Sequence, residues 1–132
     1  MPRHMSFSMT TEAVRNREKT VTRRLGWDFL KPGDVLWAVE KGMGLKKGEK
    51  VKKLCQIEVV SNLTEWLDDL YDYNPIAARF ELECEGFPDM TPREFIQMFC
   101  DANGCRPHVP VNRIEFEYLD ARQVEMRAEV TA

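Results

Sequence analysis

The chain has 132 residues, 43% hydrophobic and 10% aromatic, enough for one domain with a real core. Its net charge of −3 argues against a general nucleic-acid binder, and no apolar run approaches the roughly 20 residues of a membrane span. Met1-Pro2-Arg3-His4-Met5 is no apolar leader, so a soluble cytoplasmic protein is expected. Residues 6–9 alternate polar and apolar and predict a first strand. Thr10 or Thr11 can cap a short helix over residues 12–17, with Glu12 facing the positive end of its dipole.

That helix delivers the stretch Arg17-Glu18-Lys19-Thr20-Val21-Thr22-Arg23-Arg24. If residues 20–24 run extended, Thr20, Thr22 and Arg24 share one face while Val21 and Arg23 point the other way. Two hydroxyls and a guanidinium on one face, with Lys19 at the entry, suit an anionic or carbonyl-bearing ligand. By spacing alone the same run is a solvated edge strand. Trp27, beside Gly26, is either packing or a stacking platform for a base. Lys31-Pro32-Gly33-Asp34 reads as a tight turn, and residues 35–39 follow as a buried strand with Trp37 in the core.

Gly42-Met43-Gly44-Leu45-Lys46-Lys47-Gly48-Glu49-Lys50 is a cationic hairpin loop, able to clamp phosphate through Lys46 and Lys47. It is no P-loop, because a strand over residues 51–60 follows it rather than a helix. Leu63, Trp66, Leu67 and Leu70 fall at helical spacing and predict a helix over residues 61–70, with Asp68, Asp69 and Asp72 as a solvated acidic rim. Asn74-Pro75 opens another helix, running to Cys84 through Ile76, Ala77, Phe80 and Leu82. Charge alone does not separate Glu81, Glu83 and Glu85. Thr91-Pro92-Arg93-Glu94 is a capping box before Phe95, Ile96, Met98 and Phe99, and Gly104 ends that helix. Residues 111–119 alternate as a last strand with Asn112, Ile114, Phe116 and Tyr118 on its apolar face.

Charge is unevenly spread. Residues 1–53 hold 13 Lys or Arg against 6 Asp or Glu, whereas residues 54–132 hold 6 against 16, so the first part attracts phosphate and the second repels it. Cys55, Cys84, Cys100 and Cys105 form no Cys-x-x-Cys pair and are expected as reduced thiols. Cys100, Cys105 and His108 lack an evident fourth zinc ligand, so neither a metal nor another cofactor is expected.

The run Lys19-Thr20-Val21-Thr22-Arg23-Arg24, the turn Lys31-Pro32-Gly33-Asp34-Val35, Glu85-Gly86-Phe87, Met90-Thr91-Pro92-Arg93-Glu94-Phe95 and Val111-Asn112-Arg113-Ile114-Glu115-Phe116 stand in the order of the ASCH domain family. The chain resembles that family, a branch of the PUA-like barrels, over about residues 5–119. Arg17 stands where the family often has Gly. The resemblance implies an α+β domain: a small barrel of five or six strands with helical insertions, residues 120–132 being a C-terminal extension. It implies a cleft lined by residues 19–24 that takes a nucleoside, a nucleotide or single-stranded RNA, in a monomer or homodimer. Ligand-binding residues would be Thr20, Arg23, Arg24, Trp27, Lys46 and Lys47.

The resemblance extends to an amidohydrolase branch that deacetylates acetylated cytidine nucleosides with a Lys, a Thr and a Glu. Lys19 and Thr22 match the first two, and Glu85 is the nearest candidate for the third. A ribonuclease is the weaker alternative, because neither His4 nor His108 sits in the motif.

Overall fold

The computed structural model describes residues 2–41, 47–120 and 122–123. Five strands, β1 (Arg3–Ser6), β2 (Val21–Arg24), β3 (Val35–Val39), β4 (Lys53–Trp66) and β5 (Pro110–Tyr118), form one sheet in the order β1-β3-β4-β5-β2. Only the β1–β3 pairing is parallel. The sheet curls into a half-barrel, with α1 (Thr11–Arg15), a 3-10 helix at Leu67–Asp72, α2 (Pro75–Cys84) and α3 (Pro92–Asn103) inserted between its strands.

Alternation along β5 explains its place beside two partners. Ile114 and Phe116 join Met5, Phe7, Leu36 and Ile57 in one core, whereas Val111 joins a second core with Leu67, Leu82, Phe95 and Phe99. Each fully buried Leu, Ile or Phe contributes about 1.5–3 kcal/mol of burial free energy. β2 lies at one end of the strand order, yet Val21, Thr22 and Arg23 are all buried. It is an edge strand, but not the solvated one that its charges suggest.

α3 forms as its sequence signals predict. Glu94 N–H donates to Thr91 Oγ1 at 3.2 Å, Thr91 N–H donates to Glu94 Oε1 at 3.0 Å, and Gly104 takes φ 63° at the C-terminal end. α2 also has its expected bounds, with Asn74 Oδ1 accepting from Ala77 N–H at 2.8 Å. Its orientation differs. Ile76 is 83% and Phe80 65% exposed, while Ala78, Glu81, Leu82 and Glu85 face inward. Those inward positions are a helical stripe of spacing 3, 4 and 7, and its carboxylates meet cations from the sheet.

Three other expectations change. Residues 61–66 continue β4 past a bulge between Val59 and Ser61, pairing Asn62 with Ile114 and Trp66 with Pro110. The apparent helical spacing mixes exposed Leu63, at 57%, and Trp66 with buried Leu67 and Leu70, and only the last two begin a helix. The first strand is Arg3–Ser6 rather than 6–9, because its parallel register with β3 sets Met5 against Ala38. Trp37 is half-buried on the opposite face of β3 from Leu36 and Ala38, under the Lys53 ammonium at 4.7 Å. Among the described residues no helix is long and apolar enough to cross a membrane.

Candidate functional site

The link from α1 to β2 sets the site. α1 stops at Arg15, Arg17 takes φ 58°, and Glu18 and Lys19 both donate their N–H to the carbonyl of Ala13. A positive φ costs a non-glycine residue about 1–2 kcal/mol, which is the physical reason a glycine suits this position. Here the Arg17 guanidinium lies 5.7 Å from the Tyr118 ring, and Tyr118 donates its hydroxyl to the Lys19 carbonyl at 2.5 Å. Thr20 N–H then donates to Cys84 O at 2.8 Å, and Thr20 O accepts from Phe116 N–H at 2.9 Å. The first of these bonds brings the residue after Lys19 against the residue before Glu85, and the second ties it to β5.

Gly86, the next residue, takes φ 89° with its α-carbon against α1: a β-carbon there would meet Ala13 Cβ and Thr10 Cγ2 at 3.2 Å each. Gly86→Ala is expected to cost about 1–2 kcal/mol from the left-handed backbone, plus crowding against α1. A urea midpoint unchanged from the parent would disprove this.

Lys19 and Glu85 are 3% and 2% exposed, and the Lys19 ammonium donates to both Glu85 Oε1, at 3.1 Å, and the Glu85 carbonyl. Thr22 Oγ1 accepts from Arg24 Nε at 3.0 Å, and Arg24 Nη2 donates to the Ser6 carbonyl at 2.6 Å. The Arg24 guanidinium lies 4.8 Å from the Phe7 ring. Arg23 contacts Glu65, Glu81 and Glu85, and Glu81 also accepts from Arg113. A cavity of about 240 Å³ opens beside these groups, lined by Lys19, Thr22, Arg23, Arg24 and Glu85 together with Phe87, Phe95 and Phe99.

Burial holds the Lys19 ammonium below the ordinary lysine pKa; the charges of Arg24 and Arg23 push the same way, and Glu85 opposes them. Burial likewise pushes Arg24 down to about 10 despite Glu85. Arg23 behaves oppositely: burial is outweighed by Glu85, Glu65 and Glu81, and its pKa rises. Burial also works against the Glu81 carboxylate, but Arg113 and Arg23 overcome it and hold its pKa low. No carboxylate lies within ion-pair distance of Arg24 among the described residues.

The fold thus gathers Lys19, Thr22, Arg23, Arg24 and Glu85 around one cavity. Thr20 is absent from its lining, being used through its backbone. Trp27 is absent too: it stacks on Phe29 at 5.5 Å and packs against the core around Phe7 and Phe116. Lys47 is exposed away from the lining, and Lys46 lies outside the described residues. Glu65, Glu81 and Arg113 escaped the sequence reading, although the 78, 81, 82, 85 stripe carried the signal for Glu81. His108 stacks on Trp66 at 4.0 Å and bonds Asp68 rather than approaching a thiol pair. No group of three or more metal-ligating residues is formed among the described residues.

No protein-family model and no curated protein matches the chain. A crystal structure of a DUF984 protein from Enterococcus faecalis V583 matches over 91% of this chain and 81% of its own, with a TM-score of 0.56 and 16% identity. The ASCH domain from Lactobacillus crispatus JV V101 matches over 88% of this chain and 78% of its own, with a TM-score of 0.52 and 16% identity. The curled half-barrel with inserted helices is shared with both structures. The chain thus has the fold of an ASCH domain.

Proposed function

We propose that the chain is an amidohydrolase that removes an acyl group from the exocyclic amine of a cytidine-type nucleoside, with Lys19, Thr22 and Glu85 as its reactive group. The observation that carries this reading is the desolvated Lys19–Glu85 pair opening on a small cavity beside Thr22. A buried cation held off its ordinary pKa by desolvation, with a specific charge partner and in a cleft, is a candidate functional group. The cavity volume of about 240 Å³ falls below the roughly 300–1,000 Å³ of drug-sized sites, which suits one base and its acyl group.

The chemistry follows from the donors. Thr22 Oγ1 accepts from Arg24, which leaves its own proton to donate. Neutral Lys19 takes that proton, and Oγ1 attacks the acyl carbon to give a tetrahedral oxyanion beside the Arg24 cation. Lys19 returns the proton to the leaving amine as the C–N bond breaks. Lys19 then deprotonates a water that attacks the Thr22 ester carbon. The same amine returns that proton to Thr22 Oγ1 as the ester C–O bond breaks and the acid leaves, with Glu85 holding Lys19 in place.

The test is release of cytidine from N4-acetylcytidine, followed by chromatography. Release that disappears in Thr22→Ala, with the circular dichroism spectrum unchanged, supports the reading; no release from folded parent protein overturns it. Because the neutral amine is the base, the rate should rise with pH along a limb whose midpoint lies below the ordinary lysine value of 10.5. A profile flat from neutral to alkaline pH would remove Lys19 from that role.

A second reading, nucleotide binding without turnover, is favoured by Arg24, a cation at the cavity with no carboxylate partner in ion-pair distance among the described residues. It predicts tighter binding of cytidine monophosphate than of cytidine. Extended single-stranded RNA has less support, since Arg23 is taken up by three carboxylates and Trp27 lies outside the lining. The ribonuclease alternative has none from the histidines, as neither His4 nor His108 lines the cavity.

A further inference from the structure

Four charged side chains, Arg23, Glu65, Glu81 and Arg113, take no part in the proposed chemistry, yet form a network behind it. The Arg23 side chain is fully buried and directs Nε to Glu65 at 2.9 Å, Nη2 to Glu81 at 2.7 Å and Nη1 to Glu85 Oε2 at 2.9 Å. Glu81 in turn accepts from Arg113 Nε at 2.5 Å and Nη2 at 3.1 Å. Charge therefore alternates along a line from β5 to the cavity: Arg113, Glu81, Arg23, Glu85, Lys19. A guanidinium fork fixes the direction of each bond it makes, unlike an ammonium. Arg23 on Oε2 and Lys19 on Oε1 therefore set the plane of the Glu85 carboxylate.

We infer that Arg23 and Glu81 are positioning residues: they hold Glu85 as a fixed, oriented negative charge beside Lys19 rather than as a proton carrier. The Glu81–Arg113 pair sets how much of the Arg23 charge Lys19 meets. The inference deepens the hydrolytic reading and depends on it only for the effect on turnover.

The signs are distinctive. Lys19 faces Glu85 from the turn after α2 and Arg23 and Arg24 from β2, while Glu81 faces Arg23 from β2, Arg113 from β5 and Tyr73 ahead of α2. Glu81→Gln removes the anion that balances Arg23, so the Lys19 ammonium is less tolerated. Arg113→Gln leaves Glu81 wholly to Arg23, so the ammonium is better tolerated.

The experiment is a pH titration of Lys19 by NMR in the full chain labelled with 13C-lysine, its resonance assigned by its absence in Lys19→Met. Relative to the parent, the midpoint is expected to fall in Glu81→Gln and rise in Arg113→Gln. Each shift should be about half a unit or more, within what a unit charge exerts at an effective dielectric near 20. Glu83→Gln, on the exposed side of the same helix, should leave it in place. Shifts of one sign in both variants, or none in folded variants, would overturn the inference. Arg113 is only partly buried, so its variant decides the sign should Glu81→Gln fail to fold. With N4-acetylcytidine, the limb of the pH–rate profile should move with the titration. A parent without turnover defeats the hydrolytic reading, while the NMR signs still decide the network.

Discussion

Arg23→Ala is expected to destabilise the fold by about 3–5 kcal/mol, the loss that follows when one partner of a buried ion pair is removed. The side chain contacts three carboxylates and is fully buried. Glu81 keeps Arg113 and Glu85 keeps Lys19, but each pair was balanced with Arg23 in place, and an excess negative charge remains in the interior. Arg23→Lys should recover only part of the loss, because a compact ammonium cannot direct separate bonds to three carboxylates. Urea unfolding of the two variants is the measurement. A loss below about 1 kcal/mol for Arg23→Ala would mean that water replaces the guanidinium, as at an exposed pair.

Lys19→Met separates activity from stability. If Lys19 is the base, turnover of N4-acetylcytidine should fall by about 10²–10⁴, while the unfolding midpoint moves less than in Arg23→Ala. The methionine keeps an apolar stem near Phe87, and Glu85 keeps its bond to Arg23. The sign of the pH dependence checks the cause. Lys19 has a lower pKa folded than unfolded, so between those two values the unfolded chain binds more protons. The parent therefore gains stability relative to Lys19→Met as pH rises from the folded value toward 10.5, and pays the penalty in full below it. A parent that loses stability relative to Lys19→Met over that window would show that burial does not disfavour the ammonium.

Local chemistry made much of this legible in the sequence. The Thr91 capping box, the Asn74-Pro75 start and the alternation of β5 are each written within a few residues, and each formed as read. Lys19, Thr22 and Glu85, singled out by the family resemblance, line one cavity, and the Thr20 N–H to Cys84 carbonyl bond joins their segments. What stayed hidden depends on partners distant in the chain. Residues 61–66 are extended because β5 offers them a ladder, against a spacing that reads as helical. α2 turns Ile76 and Phe80 outward because Arg23 and Arg113 require its carboxylates, a requirement that its own residues do not reveal. Trp27 was ambiguous, and Trp37 was wrongly expected in the core, for the same reason: the face an aromatic ring takes is decided by its neighbours in the sheet.

The bonds that frame the cavity also place it in time. Arg24 reaches back to the carbonyl of Ser6 in the first strand, while Thr20 and Lys19 receive Phe116 and Tyr118 from the last. Contacts so far apart in sequence form late in folding, after the local helices. A ribosome-bound chain can therefore make α2 and α3 early, but it has no complete pocket until β5 has emerged. The ability to bind or react arrives only with the finished sheet.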